Sequence, residues 1–324
     1  MTRSTFVRKL TVVFLAAAVS CTDSTAPGGS ALPNASVLAS DLEHVDRAIA
    51  TPQLRSLSGL AIPINRAGID VHNMTTSLLG RSLEWNGVLR EVLFTDRAGV
   101  PADAIRLYLY VSDSTSRPAY PPVEIGYADL YPHNTFNGGG PDSMSLRFVV
   151  TDTRSTPAVV ADFIAHSHAD STCQCATVEG WVSDGTTRVA FSSAYNIPLG
   201  LDGQFPGTFS SPAIGFQHFA TLPGPGANTA TAKLALAFGA DSITMTSGLL
   251  TPHAGRLNGS SALAINGTDY ALVTRGATGT TAVGPGGHPL SGAQLRAAGA
   301  LFAVPADIAY YIEWPTFVIF FCGC

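Results

Sequence analysis

Residues 178–193, VEGWVSDGTTRVAFSS, read as two strands folded back on one another. Val178–Ser183 and Thr187–Ser193 carry β-branched and aromatic residues, and Asp184-Gly185 between them supplies the positive-φ positions that tight hairpin turns demand. Asn266-Gly267 divides Ala262–Ile265 from Tyr270–Thr274 in the same way. Elsewhere apolar residues recur with period two. Ile105, Leu107 and Leu109 alternate with Arg106, Tyr108 and Tyr110, and Leu146, Phe148 and Val150 alternate with Ser145, Arg147 and Val149. Period two puts one set of side chains on a core face. About twelve candidate strands with short connections give a mainly β fold, an antiparallel sheet in a sandwich or an open half-barrel.

Two helices are expected at the flanks. Ser40 with Glu43 has capping-box spacing, and Leu42, Val45 and Ile49 share a face. A shorter helical segment restarts at Thr51-Pro52 and ends near Gly59. The second helix starts at Ser291, runs through Leu295, Ala298 and Phe302, and is stopped by Pro305. Phe317–Phe321 then reads as a last apolar strand. Asn134–Asp142, Pro223–Asn228 and Gly284–Pro289 are rich in turn formers. Thr95-Asp96 with Pro101-Ala102 recurs as Thr151-Asp152 with Pro157-Ala158, which is either ordinary turn composition or a duplicated hairpin unit.

Ahead of this body stands a leader in three zones. Arg3, Arg8 and Lys9 are followed by the apolar stretch Leu10–Val19 and then by Ala18-Val19-Ser20-Cys21. A run of roughly ten apolar residues is too short to span a bilayer and has the flanks of an export signal. The cysteine after small residues resembles the lipobox of bacterial lipoproteins, with Ala18 in place of the commoner leucine. That resemblance implies that Cys21 is diacylated and becomes the first residue of the mature chain. Residues 1–20 are thus the signal, 21–37 a Ser/Thr/Pro/Gly-rich tether, and 38–324 one β-rich domain with a possible seam near 197–228. The localisation that follows is the cell envelope, lipid-anchored and facing the periplasm or the exterior. No apolar run after residue 21 reads as a membrane span.

Without the leader the charge is near −8, from 15 basic and 23 acidic residues. Nucleic-acid binding needs clustered Lys and Arg, so it is excluded as a function class. The four remaining cysteines form two Cys-x-Cys pairs, Cys173/Cys175 and Cys322/Cys324. In an oxidising compartment these are disulfide candidates, with three pairings open, and a last strand lying beside 173–175 would allow cross-pair bridges. A metal site is the competing reading. His166, His168 and Asp170 lead directly into Cys173-Gln-Cys175, and zinc accepts all three donor types. No nucleophile elbow, phosphate loop, zinc-protease or calcium-loop motif occurs, no acid/base carboxylate pair stands out, and no cofactor is expected. Trp85, Trp181 and Trp314 with Tyr108, Tyr110, Tyr310 and Tyr311 fit either core packing or a sugar-binding face.

Three functions are compatible with these residues. One is a non-catalytic envelope or surface protein, structural or binding, whose only implied partner is the membrane. Another is a carrier of an apolar ligand or lipid, since a helix plus a long antiparallel sheet loosely resembles periplasmic lipid carriers. Such a carrier needs a lined interior cavity of several hundred Å³. The last is a metal-dependent enzyme built on the His166/His168 region.

Overall fold

The computed structural model describes residues 32, 34–66, 78–113, 117–133, 143–169, 173–198, 203–222, 229–253 and 256–321. Two helices come first, α1 (Ala35–Ile49) and α2 (Pro52–Arg66). Sixteen strands follow. They are β1 (Ser82–Asn86), β2 (Glu91–Thr95), β3 (Ile105–Tyr110), β4 (Glu124–Pro132), β5 (Ser143–Asp152), β6 (Ala158–Ala169), β7 (Cys173–Ser183) and β8 (Arg188–Pro198). The second half comprises β9 (Gly203–Ser210), β10 (Gly215–Leu222), β11 (Thr231–Phe238), β12 (Asp241–Ser247), β13 (Thr251–His253), β14 (Arg256–Ile265), β15 (Thr268–Gly276) and β16 (Gly279–Val283). The chain then returns to helix in α3 (Gly292–Ile308), a π-helical turn (Ala309–Glu313) and α4 (Trp314–Phe321).

All the strands join one sheet, whose order from β16 to β3 follows the chain backwards apart from the side strand β13. Pairing is antiparallel except where β1 runs parallel to β3, and β2 and β16 form the two edges. Both edges are only five residues long, which limits the unpaired backbone offered to other chains. Asn266 and Gly267 both have positive φ and close a two-residue turn between β14 and β15. The Asp184 turn is longer. Asp184 Oδ1 accepts from the backbone N–H groups of Thr186 and Thr187, giving a four-residue loop between β7 and β8.

The register lines up one inward row across the sheet: Phe148, Phe163, Gly180, Phe191, Phe209, Phe216, Leu236, Ile243 and Ile265. Neighbouring rings stack, at 4.8 Å for Phe148–Phe163, 5.6 Å for Phe191–Phe209 and 5.4 Å for Phe209–Phe216. Gly180 is the one gap in the row. A Cβ there would lie 2.5 Å from the Phe163 Cα, so the strands approach closely and Phe163 and Phe191 meet across it.

The helices cover this inner face. α2 lies on β2 to β5, α1 on β7 and β8, and α3 on β10 to β12 and β14 to β16, while α1 and α3 pack on each other and α2 packs on α4. Leu38, Leu42, Val45, Leu54, Leu57, Leu60, Leu301, Phe302 and Ile308 are all buried there. Five sequence expectations change. Sixteen strands among the described residues replace about twelve; one of the additions, Gly203–Ser210, pairs on both sides although it contains Pro206 and Gly207, which weaken a strand pattern. α1 starts at Ala35, inside the expected tether, so Ser40 is an interior residue and Glu43 pairs with Arg296 instead of capping. α2 continues past Gly59 to Arg66. Pro305 lies inside α3, where burial of the surrounding side chains offsets its missing hydrogen bond. Phe317–Phe321 is helical, since an all-apolar run suits a helix buried on every side as well as a strand.

Two further readings resolve topologically. The Thr95–Ala102 segment joins β2 to β3, which are not neighbours, whereas Thr151–Ala158 joins adjacent β5 and β6, so the repeat is not a duplicated hairpin. Gly292–Ile319 forms one helical stretch long and apolar enough to cross a membrane by length and composition, although most of it is buried under the sheet.

Candidate functional site

Three places in the fold bring chemically active side chains together. The first is the outer-face region expected from sequence. On β5 and β6 Ser145 sits opposite His166, and Ser145 Oγ lies 2.7 Å from His166 Nδ1. One step along, His168 faces Cys175 across β6 and β7. His166, His168, Cys175, Thr177 and Ala194 border a shallow cleft of about 180 Å³. Among the described residues no group of three or more His, Cys, Asp or Glu is placed to hold a metal. Asp170, Cys322, Cys324 and the Cys21 leader lie outside the described residues. Cys175 has the strand parity of exposed Thr177 and Glu179 and so belongs to the outer face. The C-terminal helix packs on the inner face, through Phe317 against Phe205 at 6.1 Å. The expectation of a last strand beside Cys173–Cys175 is therefore corrected.

The second place was not legible in the sequence. Glu313, on the π turn between α3 and α4, is fully buried. Ser193 Oγ on β8 donates to its Oε1 at 3.0 Å, and His218 Nε2 on β10 stands 3.1 Å from its Oε2. Tyr195 Oη donates to the Glu313 carbonyl at 3.4 Å. Burial, and then the Glu313 charge, hold the Tyr195 hydroxyl well above its ordinary pKa, so it remains a donor. A carboxylate only accepts, so His218 Nε2 is the donor to Glu313, while His218 Nδ1 has no partner among the described residues. The π turn widens the helix just where Glu313 must reach two strands. Phe209 closes the site edge-on against the His218 ring at 5.8 Å. Ser193 bonds to the acid and not to the histidine, so the trio lacks the relay order of a hydrolytic triad.

The third place joins α1 to α3. Arg275 on β15 donates to Asp307 Oδ1 at 3.1 Å, and both groups are buried. Asp46 on α1 hydrogen-bonds with Asp307. Asp46 Oδ1 and Asp307 Oδ2 have no donor among the described residues, and a proton held by Asp46 relieves the repulsion between the two acids. Burial, and next the Asp307 charge, push Asp46 up to about 8, against the pull of Arg275 and Arg256. This is a carboxyl pair of the kind the sequence did not reveal, because its members are 261 positions apart. Ser193 and Tyr195, which bond to Glu313, also border shallow clefts of about 300 and 180 Å³, while Glu313 and His218 themselves are fully buried.

The aromatic residues do not form one sugar-binding face. Trp85, Tyr108, Tyr110 and Tyr311 are buried, and Arg97, Arg106 and Arg188 stack on Tyr108, Tyr127 and Trp181 at 3.7–3.9 Å. No protein-family model, no curated protein and no solved structure matches this chain.

Proposed function

We propose that the protein is an exported, lipid-anchored envelope component whose folded body is a non-catalytic structural or binding module. The observation that carries this reading is the Arg3–Cys21 leader, with its basic start, short apolar run and small residues before Cys21. The fold is compatible with it. Glu313, His218, Asp307 and Arg275 are buried under the sheet, where each acid meets a hydrogen-bond donor and the pairs serve packing specificity. The sheet is read here as an open half-barrel filled by its own helices. The apolar-carrier alternative gains less support, because the cleft between α2 and β2 lies at the sheet edge and is bordered by Arg66, Arg90 and Glu91 as well as apolar residues.

Disulfides among Cys173, Cys175, Cys322 and Cys324 belong to the same exported reading. The test is fractionation of cells producing the Cys21→Ser chain, with intact mass of the wild type. Wild type should carry acyl mass and sediment with membranes, and the variant should appear in the soluble exported fraction. Retention of the variant in carbonate-washed membranes, or a wild-type mass without acyl groups, sinks the proposal.

A further inference from the structure

The β1–β2 hairpin ends in Gly87-Val88-Leu89-Arg90, a four-residue loop with two aliphatic residues where turn formers belong. Asn86 fixes this loop. Its Oδ1 accepts from the backbone N–H groups of Val88 at 3.0 Å and Leu89 at 2.9 Å, and Arg90 N–H returns to the Asn86 carbonyl at 2.7 Å. The result projects Val88, 82% exposed, and Leu89, 59% exposed, into solvent. Arg90 occupies a left-handed position (φ 56°) that glycine or asparagine would take at less cost. Local turn preference has given way to the side chains displayed.

The neighbouring 117–123 segment displays the same chemistry. Tyr120 is 76% exposed with its ring against Gly87, where a Cβ would meet Tyr120 Cδ2 at 2.9 Å, and Val123 is 55% exposed. Val88, Arg90, Arg117 and Tyr120 border one cleft of about 660 Å³. Neither arginine has a carboxylate side-chain partner among the described residues, although Asp113 and Glu91 stand nearby. An aliphatic tip, a tyrosine at its shoulder and arginines at its rim match the depth order of a bilayer interface. Acyl chains take the aliphatic groups, the boundary region takes the tyrosine, and phosphates take the guanidinium groups.

We infer that the β1–β2 hairpin tip, with Tyr120 and Val123 beside it, is a surface that dips into the headgroup region of an anionic membrane. A loop that lies on the bilayer would orient the body, which a single attachment point at Cys21 would not do alone. The inference deepens the anchoring reading, and it is tested on a chain that lacks the anchor.

The experiment takes the exported Cys21→Ser chain and measures its co-sedimentation with two kinds of vesicle. One contains phosphatidylethanolamine with phosphatidylglycerol, and the other phosphatidylcholine alone. Adding Val88→Ser and Leu89→Ser should weaken binding to both by about tenfold, with the melting temperature unchanged because both side chains are in water. Arg90→Gln with Arg117→Gln should weaken binding to the anionic vesicles only. A Leu89→Cys chain carrying an environment-sensitive dye should shift to the blue on vesicle addition. Equal binding by the serine variant and its parent, or no dye shift, overturns the inference. So does a lipid-free dimer that the serine substitutions dissociate, since the tip would then be a contact between copies. Absence of acyl mass on the wild type would overturn the anchoring reading while leaving the vesicle result intact.

Discussion

Glu313 and Asp307 stand six residues apart on the same helical stretch, both buried under the sheet, and they are neutralised in opposite ways. Glu313 is met by donors: a serine hydroxyl, a histidine N–H and, at its carbonyl, a tyrosine hydroxyl. Asp307 is met by one arginine and by a second acid, so one of its contacts exists only while a proton is shared with Asp46. An ionised group left alone in a dry interior costs several kcal/mol. The fold supplies partners in one place and a proton in the other. In the second arrangement Asp46 is pushed up to about 8.

The largest effect should come from removing the acid that has the most partners. Glu313→Ala strands Ser193 and His218 and leaves a cavity, with an expected loss of about 3–5 kcal/mol in urea unfolding. Glu313→Gln keeps the shape and should cost much less. If both substitutions cost the same, the carboxylate charge is not what organises this site.

The Asp46 pair should show itself through pH. Its folded pKa is raised to about 8 from 3.8, so its contribution is fully present below pH 3.8 and is lost progressively as pH rises from there through 8. Arg275 and Arg256 moderate this loss, and Tyr311 remains a neutral phenol there, its pKa raised first by burial and then by Asp307. Asp46→Asn places an N–H donor where the shared proton sits. The variant should match wild type near pH 3.5, fall less steeply than it as pH rises towards 8, and melt several °C higher near pH 9, at ~2–4 °C per kcal/mol for large domains. A parallel pair of melting curves across that range would remove Asp46 as the titrating group.

The smallest expected change is Ser193→Ala. It leaves Glu313 Oε1 without its donor and should cost about 1–3 kcal/mol at every pH, in contrast to the pH-dependent Asp46 effect. A Ser193→Ala loss confined to alkaline pH would mean that the two clusters are coupled and the comparison false.

What could be read before folding, and what could not, divides by distance along the chain. The inward row of Phe148, Phe163, Phe191, Leu236 and Ile243 follows from period two, because a strand's pleat makes side-chain direction a local property. The Asn266-Gly267 turn is legible for the same reason, since its positive φ angles are a property of two residues. The exposed tip could have been noticed as Gly87-Val88-Leu89-Arg90, turn-length yet poor in turn formers. Phe317–Phe321 could not be settled, because an apolar run has no period to distinguish helix from strand.

The Glu313 site was equally hidden. Ser193 and His218 precede Glu313 by 120 and 95 residues, and nothing near any of the three marks it as a partner of the others. By itself the sequence determined the mainly β character, the inner face of the strands it revealed and the Asn266-Gly267 turn, all of which rest on neighbours a few residues apart. The tertiary structure alone decided that the last segment is a helix under the sheet and which donors meet its acids. Burying a charge is a problem that a chain can solve only with groups brought from elsewhere.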